Sequence, residues 1–293
     1  MSAVWIVGCG YVGERVALAE RAEGNAVTAV VRTAESALHL TTLGVHAVQH
    51  DLDLPSLPGL NAQESVVYYF APPPSHGTTD PRLARFLSAL GDPPRVQRLV
   101  LISTSGVYGD CRGEWVTEAR PVHPEAERAQ RRWDAEQTAR RWSERTRVPI
   151  VILRVPGIYG PGRLPLDRLR AGEPVLNESE SPWSNRVHVD DLVMSCLAAA
   201  RRGLAGAVYN ISDGTPTTMT DYFNRVADAA GLPRPPQISL HAAGTRLSAG
   251  MRSYLAESKR LDNRAMREGL GVTPRYPDLV SGLAACLRAG LAA

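Results

Sequence analysis

The sequence predicts an α/β fold built on a doubly wound parallel sheet. Short β-branched runs alternate with longer amphipathic stretches, and several of these runs are apolar at consecutive positions. Strands that are buried on both faces show such continuous apolar runs. Strands that alternate with helices form parallel sheets through right-handed crossovers. The predicted strands are residues 4–7, 26–31, 46–50, 65–70, 98–103 and 148–155.

Composition and charge exclude several classes of protein. The 293 residues are 44% hydrophobic and 22% charged, which is typical of a globular chain and excludes a disordered or fibrous one. A net charge of +3 gives no electrostatic footprint for nucleic acid. No apolar run reaches the 18 residues of a membrane span. The four cysteines are far apart, so we expect no metal site and a reduced, cytoplasmic setting.

A glycine-rich turn follows the first predicted strand. Gly8, Gly10 and Gly13 have the spacing G-x-G-x-x-G, and a helix-like segment begins directly afterwards. In this context the first glycine permits a tight turn, the second lets a pyrophosphate approach the backbone, and the third lets the helix pack on the strand. The helix N-terminus attracts the phosphates. The turn, including Tyr11 and Val12, therefore predicts dinucleotide binding on a Rossmann-type sheet.

The end of the second predicted strand bears on the choice of cofactor. Arg32 stands where an acidic residue would hold the ribose hydroxyls of NAD. An arginine can instead pair with a 2′-phosphate, so we predict NADP, with NAD as the alternative. Arg32 could also stack on the adenine or lie in solvent. Asp51, after the third strand, is a candidate for the adenine amino group, and its alternative is an ordinary loop aspartate.

The second half of the chain predicts an interleaved lobe. Prolines and glycines crowd residues 156–182, and a predicted helix at 189–201 and strand at 207–211 return to the main sheet. We therefore assign residues 1–160 and about 187–213 to the NAD(P)-binding domain. A smaller, substrate-binding lobe then comprises about 161–186 and 214–293.

Further motifs follow in the order of a known family. The chain resembles the extended short-chain dehydrogenase/reductase superfamily, in its NAD-dependent epimerase/dehydratase branch, from Val4 to about Asp213. The resemblance implies NAD(P) and a small-molecule substrate, often a nucleotide sugar. Besides the glycine turn, the motifs are Phe70-Ala71-Pro72-Pro73, Ser103-Thr104-Ser105-Gly106-Val107-Tyr108-Gly109, Leu153-Arg154-Val155-Pro156-Gly157-Ile158-Tyr159-Gly160-Pro161-Gly162, Asn185-Arg186-Val187-His188-Val189-Asp190-Asp191 and Tyr209-Asn210-Ile211-Ser212-Asp213.

Several of these residues come just after predicted parallel strands, where a doubly wound sheet binds its ligand. This placement predicts that five residues surround the nicotinamide: Ala71, Pro72, Thr104, Pro156 and Gly157. The hydroxyl of Thr104 could hydrogen-bond the reacting oxygen, and the resemblance gives this position that role. The alternative is that Thr104 only holds its own turn.

The usual proton-transfer pair is missing. Redox members of the family use Tyr-x-x-x-Lys, but Lys259 is the only lysine and no such pair exists in this chain. Alignment on Glu136 puts Arg128 in the tyrosine position and Arg132 in the lysine position. Arginine stays charged and cannot act as a base. Arg132 could contact the nicotinamide ribose and Arg128 a substrate carboxylate, phosphate or oxyanion, or both could belong to a solvated basic face.

These observations leave two functions open. The first is an NADP-dependent oxidoreductase or nucleotide-sugar-modifying enzyme with an atypical active site, resembling an atypical subgroup that lacks the tyrosine. The second is a catalytically silent NADP(H)-binding sensor or scaffold.

We expect no nucleic-acid or membrane partner, and related chains suggest a homodimer. Arginines suit a diphosphate, and the substrate candidates are Tyr159, Arg163 and Arg186, with Asn177, Trp183 and Arg246 as further candidates.

Overall fold

The structure is a computed structural model that describes residues 2–54, 62 and 64–290, without the side chains of 245, 249, 289 and 290. Its strands are β1 (Ala3–Val7), β2 (Ala26–Val31), β3 (His46–Gln49), β4 (Ser65–Tyr69), β5 (Val96–Thr104), β6 (Trp115–Val116), β7 (Ile150–Val155), β8 (Gly157–Tyr159), β9 (Val175–Leu176), β10 (Trp183–Ser184), β11 (Arg186–His188), β12 (Val208–Asn210), β13 (Thr217–Thr218), β14 (Gln237–Ile238) and β15 (Arg260–Leu261). Its α-helices are α1 (Tyr11–Ala22), α2 (Ala34–Thr42), α3 (Pro81–Ala89), α4 (Glu127–Thr146), α5 (Leu166–Arg170), α6 (Val189–Arg202), α7 (Met219–Ala229), α8 (Leu240–Arg246), α9 (Ala249–Leu255), α10 (Arg264–Gly269) and α11 (Leu279–Gly290).

A seven-stranded parallel sheet forms the centre of the fold. Its strand order is β12-β7-β5-β4-β1-β2-β3, and every pair of neighbours is parallel. All six strands predicted in the first half of the chain belong to it, and β12 adds the returning strand at one edge. The order reverses direction between β1 and β4, which is where ligands bind in such sheets. The predicted α/β fold class is confirmed.

Alternate residues of the sheet supply two hydrophobic layers. In β1, Val4 and Ile6 join the layer that also holds Leu192 of α6, whereas Trp5 and Val7 join the opposite layer. Strand side chains alternate between faces, so helices on both sides are needed to cover a sheet whose strands are apolar throughout. The continuous apolar runs of the sequence are the cause of this arrangement.

A buried polar network fixes α4 against the sheet. Glu136 is fully buried; it accepts a hydrogen bond from the hydroxyl of Ser103 at 2.5 Å and two from Arg154 at 2.8 and 3.1 Å. The Arg154 guanidinium also lies 4.7 Å from the ring centroid of Tyr108, whose hydroxyl donates to Asn210. Charged groups are retained in a core when they are paired in this way. The network therefore sets the position of the whole helix that carries both predicted catalytic arginines.

The C-terminal part of the chain divides between two cores. A hydrophobic cluster that includes Leu169, Phe223 and Leu283 joins α5, α7 and α11 in a separate small core. Residues 266–272 instead pack against the main sheet, because Met266, Leu270 and Val272 lie in the same buried layer as Val4 and Ile6 of β1. Just before them, β15 pairs with β6 in a separate two-stranded sheet. The boundary predicted at residue 214 thus assigns to the lobe a stretch that packs on the sheet. The division into domains stays a prediction.

No α-helix within the described ranges is both long and apolar enough to cross a membrane.

Candidate functional site

The phosphate loop has the geometry that a dinucleotide needs. Gly8 has φ of +87°, and a Cβ atom added there would lie 2.4 Å from the backbone nitrogen of Ala71. A Cβ on Gly13 would lie 3.0 Å from the carbonyl oxygen of Gly8 and 3.2 Å from Ile6. A Cβ on Gly10 would meet only open space. The first and third glycines are therefore required for packing, and the second leaves room for a ligand.

The start of α1 is open to an anion. Its N-cap residue is Gly10, which provides no side-chain cap for the first N–H groups of the helix. Those groups have no partner inside a helix and carry partial positive charge. Glu14, the acidic residue of the first turn, already has a partner, since its Oε2 lies 3.0 Å from Nε2 of His39. The residues present therefore fit the diphosphate of a dinucleotide.

A cavity of about 520 Å³ lies above this loop. It contains most of the predicted cofactor residues and also Ser36, which the sequence analysis did not single out. Its lining residues are Gly8, Cys9, Gly10, Tyr11, Val12, Gly13, Val31, Arg32, Ser36, Phe70, Pro72, Ile102, Arg132, Ile158 and Arg163.

Arg32 and Asp51 occupy different positions relative to this cavity. Arg32 is exposed at the end of β2 and lines the cavity with Ser36, next to the start of α2. An exposed guanidinium beside a helix N-terminus and a hydroxyl fits a phosphate group. Asp51 is not among the lining residues, and its carboxylate accepts the N–H of Asp53 at 2.9 Å. Its contact with an adenine stays a prediction.

Arg132 lies at the wall of the same cavity. Its Nη1 donates to the carbonyl oxygens of Ala71 and Ile102, both at 3.2 Å, so it joins the carboxyl ends of β4 and β5. Burial lowers the pKa of Arg132, and nearby Asp80 and Tyr69 oppose that shift. Arginine stays charged even so. The wall of the cavity thus holds a fixed positive charge, from the arginine that the sequence alignment on Glu136 puts in the lysine position.

A second cavity of about 480 Å³ adjoins the first, and both are lined by Ile158 and Arg163. Thr104, Pro156 and Gly157 line this second cavity. The Thr104 side-chain oxygen accepts the N–H of Gly106 at 3.1 Å, as in the turn-holding alternative. A hydroxyl still has its own proton to donate. The three residues predicted to surround the nicotinamide or the reacting oxygen therefore face the space next to the cofactor cavity.

Arg163 connects the two cavities. Its guanidinium lies 4.6 Å from the ring centroid of Tyr11, at the start of α1. The hydroxyl of Tyr11 donates to the carbonyl oxygen of Pro161 at 2.9 Å, which holds the loop after β8 against the phosphate loop. Burial raises the pKa of Tyr11, so this phenol stays protonated. The structure therefore brings two predicted residues, one from each half of the site, into contact.

Arg186 is a buried cation in the second cavity. Its contacts are with neutral groups: it donates to the carbonyl oxygen of Asn185 at 2.7 Å and lies 4.2 Å from the ring centroid of Tyr222. Burial lowers its pKa, while Tyr222 and Asp213 favour the charged form. Burial in turn raises the pKa of Asp213 to about 7. A buried arginine that contacts neutral groups can bind an anionic ligand strongly.

Arg128 is held by the C-terminal part of the chain. It donates to the hydroxyl and carbonyl oxygens of Ser253, and its guanidinium lies 4.1 Å from the ring centroid of Tyr254. It also pairs with Glu257, 3.1 Å from Nη2 to Oε1. The other carboxylate oxygen of Glu257 pairs with Nζ of Lys259 at 2.6 Å. Arg128, which the sequence alignment puts in the tyrosine position, is thus part of an ion-pair cluster, and not of a solvated basic face.

Three of the substrate candidates lie outside the lining of the second cavity. Tyr159 is fully buried in the small core, where its hydroxyl donates to the carbonyl oxygen of Asp278. Asn177 pairs with Glu180 at the surface, and Arg246 is exposed. Trp183 lines the cavity and is 38% exposed. Other side chains enclose the ring of Tyr159, so the structure does not support its predicted contact with substrate.

Sequence reasoning missed the partners of Arg128. Glu257 and Lys259 lie about 130 residues away in the sequence, in a region without a recognised motif. The only signal was that Lys259 is the single lysine of the chain. Their position was set by the pairing of β15 with β6, which brings this segment across to the cavity. Tertiary contacts of this kind leave no periodic pattern in the sequence.

Comparison with known proteins finds a family model that matches part of the chain. Residues 82–212 match the model of the NAD dependent epimerase/dehydratase family. The recognition made from the motifs is confirmed. This stretch contains the carboxyl end of β5, the arginine-bearing face of α4 and the strand that carries Arg186.

Proteins of similar length are similar to this chain over nearly all of its residues. Protein YeeZ of Escherichia coli K12 is 25% identical over 288 residues, which cover 95% of this chain and 97% of that protein. A functionally unknown conserved protein from Silicibacter pomeroyi is 29% identical, with a TM-score of 0.84 and 99% of each chain covered. The structure of MoeE5 in complex with UDP-glucose and NAD is 25% identical, with a TM-score of 0.76 and 99% of each chain covered.

Proposed function

We propose that this protein is an NADP-dependent enzyme that modifies a nucleotide sugar, with an active site that lacks the usual tyrosine and lysine. The observation that carries the proposal is the pair of adjoining cavities that share Arg163 and Ile158. One cavity has the shape and charge for a dinucleotide, and the other is lined by arginines suited to a diphosphate. The family match and the nucleotide sugar in the related MoeE5 structure support this assignment.

Each residue then has a definite task. The N–H groups at the start of α1 bind the cofactor diphosphate, and Arg32 pairs with the 2′-phosphate. Arg186 and Arg163 bind the diphosphate of the substrate, and Trp183 stacks on its base or sugar. Thr104 donates its free proton to the reacting oxygen. NADP, when bound, supplies the hydride acceptor and donor.

Arg128 and Arg132 supply charge and not a proton. A fixed cation near a developing oxyanion stabilises it in a site from which water is excluded. Arg132 lies between the ends of β4 and β5, where it can also contact the cofactor ribose. Neither guanidinium can accept a proton at neutral pH.

The deciding experiment is an NMR assay of a panel of nucleotide sugars with NADP and the protein. Sugar protons report epimerisation, dehydration or oxidation, whereas cofactor absorbance misses an epimerase that returns its hydride. We expect turnover that is lost in Thr104→Ala while NADPH binding is retained. A Ser88→Ala variant, which removes a surface hydroxyl on α3, is the matched control.

The competing function is a silent NADP(H)-binding sensor. The ion pair between Arg128 and Glu257 favours the sensor, because Arg128, the residue aligned with the tyrosine, already has a charged partner. Absence of turnover across the panel, by protein that binds both NADPH and a nucleotide sugar, would support the sensor and overturn the enzyme.

A further inference from the structure

The second cavity carries an excess of positive charge. The described residues that line it include four cations, Arg128, Arg163, Arg186 and Lys259, whereas Glu257 is the one acid among them. The cations come from separate elements of the chain: α4, the loop after β8, β11 and the segment before β15. A diphosphate has two negative charges and can be bound by Arg163 and Arg186 alone. Arg128 has the charge-stabilising role proposed above, but Lys259 and the pairing of both cations with Glu257 require a separate explanation.

Glu257 bridges these two remaining cations. One of its oxygens is 3.1 Å from Nη2 of Arg128, and the other is 2.6 Å from Nζ of Lys259. The side chains of Glu257 and Lys259 are only 9% and 6% exposed. Each oxygen of one carboxylate is thus held by a different cation, in a partly desolvated place where such pairs are strong. The arrangement is a complete binding site for a carboxylate.

This carboxylate site lies on the reacting side of the cavity. Arg128 lies on α4 and lines the same space as Thr104 and Gly106. The Ala129 side chain next to Arg128 would lie 3.6 Å from a Cβ on Gly106. A sugar whose diphosphate is bound by Arg186 and whose hydroxyl meets Thr104 therefore lies beside Arg128. A carboxylate on that sugar can take the place of Glu257.

We propose that Arg128 and Lys259 form a carboxylate subsite, that the substrate is a nucleotide-linked sugar acid, and that Glu257 occupies the subsite until the substrate replaces it. The inference rests on the proposed binding of a nucleotide sugar in this cavity. Exchange of one carboxylate for another leaves neither cation unpaired, and it requires the released Glu257 carboxylate to turn to a position where water solvates it. A neutral sugar offers no such replacement for Glu257.

The test compares two ligands that differ only in this group. Binding of UDP-glucuronate and UDP-glucose to the full protein, with NADP present, is measured by titration calorimetry. The variants are Glu257→Gln, which removes the competing carboxylate at nearly constant size, and Lys259→Gln, which removes one cation of the subsite. Glu173→Gln is the matched control, because Glu173 pairs with Arg168 at the exposed surface.

We expect the wild-type protein and Glu173→Gln to prefer UDP-glucuronate. Glu257→Gln should widen this preference by about tenfold, since a charge-assisted pair gains that much when its competitor is removed. Lys259→Gln should bring the two dissociation constants to within about twofold of each other. Thermal melting of each variant shows that it is folded.

Two outcomes contradict the inference in different ways. If both ligands bind and their ratio is the same in all four proteins, the carboxylate subsite is overturned and the nucleotide-sugar site stands. If neither ligand binds to any of the four, the proposed function is overturned together with the subsite. If Glu257→Gln does not fold, the ratio measured with Lys259→Gln decides the inference by itself.

Discussion

The backbones of Gly8 and Ala71 touch where β1 and β4 end. A Cβ atom on Gly8 would lie 2.4 Å from the nitrogen of Ala71, whereas a Cβ on Gly10 would meet nothing within 4 Å. The two glycines therefore have different purposes, although the motif gives them equal weight. One holds the loop together, and the other leaves space for a phosphate.

Substitution of these two glycines should separate folding from binding. Gly10→Val should abolish NADPH binding with little change in the melting temperature, because its side chain fills open space where the diphosphate approaches. Gly8→Ala should lower the free energy of unfolding by roughly 1–3 kcal/mol, since it forces a clash with backbone at a positive φ. Fluorescence titration and thermal melting check the two effects. Unchanged NADPH affinity in Gly10→Val would remove the phosphate loop from the site.

The preference for NADPH should depend on Arg32. Arg32→Ala should weaken NADPH binding about tenfold or more and leave NADH binding within about twofold, since the charge-assisted pair involves only the 2′-phosphate. Fluorescence titration with both cofactors measures the difference. Arg21→Ala, on the last turn of α1, is a control that should alter neither affinity. Equal affinities for NADPH and NADH in the parent protein would refute the role of Arg32.

Removal of Glu136 should destabilise the protein strongly. Glu136→Ala leaves Arg154 buried without its charged partner, for which we expect a loss of about 3–5 kcal/mol in the free energy of unfolding. The double variant Glu136→Leu/Arg154→Leu should recover part of this loss, because no buried charge remains. Denaturant unfolding curves measure both. A single variant as stable as the parent would show that the ion pair does not hold α4.

Because of Asp213, the free energy of unfolding should fall as the pH rises. Its pKa is raised to about 7 in the folded protein, from an ordinary value of 3.8, because the carboxyl is buried. Below pH 4 the carboxyl is protonated in both states and makes no difference. Between about pH 4 and 7 the unfolded state loses its proton first, so the folded state loses relative stability, and above pH 7 the loss is complete.

Asp213→Asn should remove this dependence. The variant should gain stability over the parent as pH rises from about 4 to 7, by up to about 4 kcal/mol, since each pKa unit corresponds to about 1.4 kcal/mol. Thermal melting at pH 4, 6 and 8 measures the gain. Asp228→Asn is the control: Arg234 holds the pKa of this exposed carboxyl below its usual range, so no such gain should appear. If the melting temperatures of Asp213→Asn and the parent changed with pH in the same way, the raised pKa of Asp213 would be contradicted.

The sequence by itself determined the sheet, the glycine turn and the resemblance to a known family. Apolar runs and a glycine spacing are local patterns, because burial on both faces constrains consecutive residues and a tight turn constrains three neighbouring positions. The motifs then predicted Thr104 and Arg128 as active-site residues and Arg186 as a substrate-binding residue. The sequence also showed that the usual Tyr-x-x-x-Lys pair is missing, since Lys259 is the only lysine and no tyrosine stands four residues before it.

Only the tertiary structure decided what surrounds those residues. It placed Tyr159 inside the small core and Asp51 outside the cofactor cavity lining, although both stand at plausible positions in the sequence. It also brought Glu257 and Lys259 to Arg128 through the pairing of two short strands. Contacts between segments far apart in the chain depend on packing and desolvation over the whole fold, and no local pattern of residues records them.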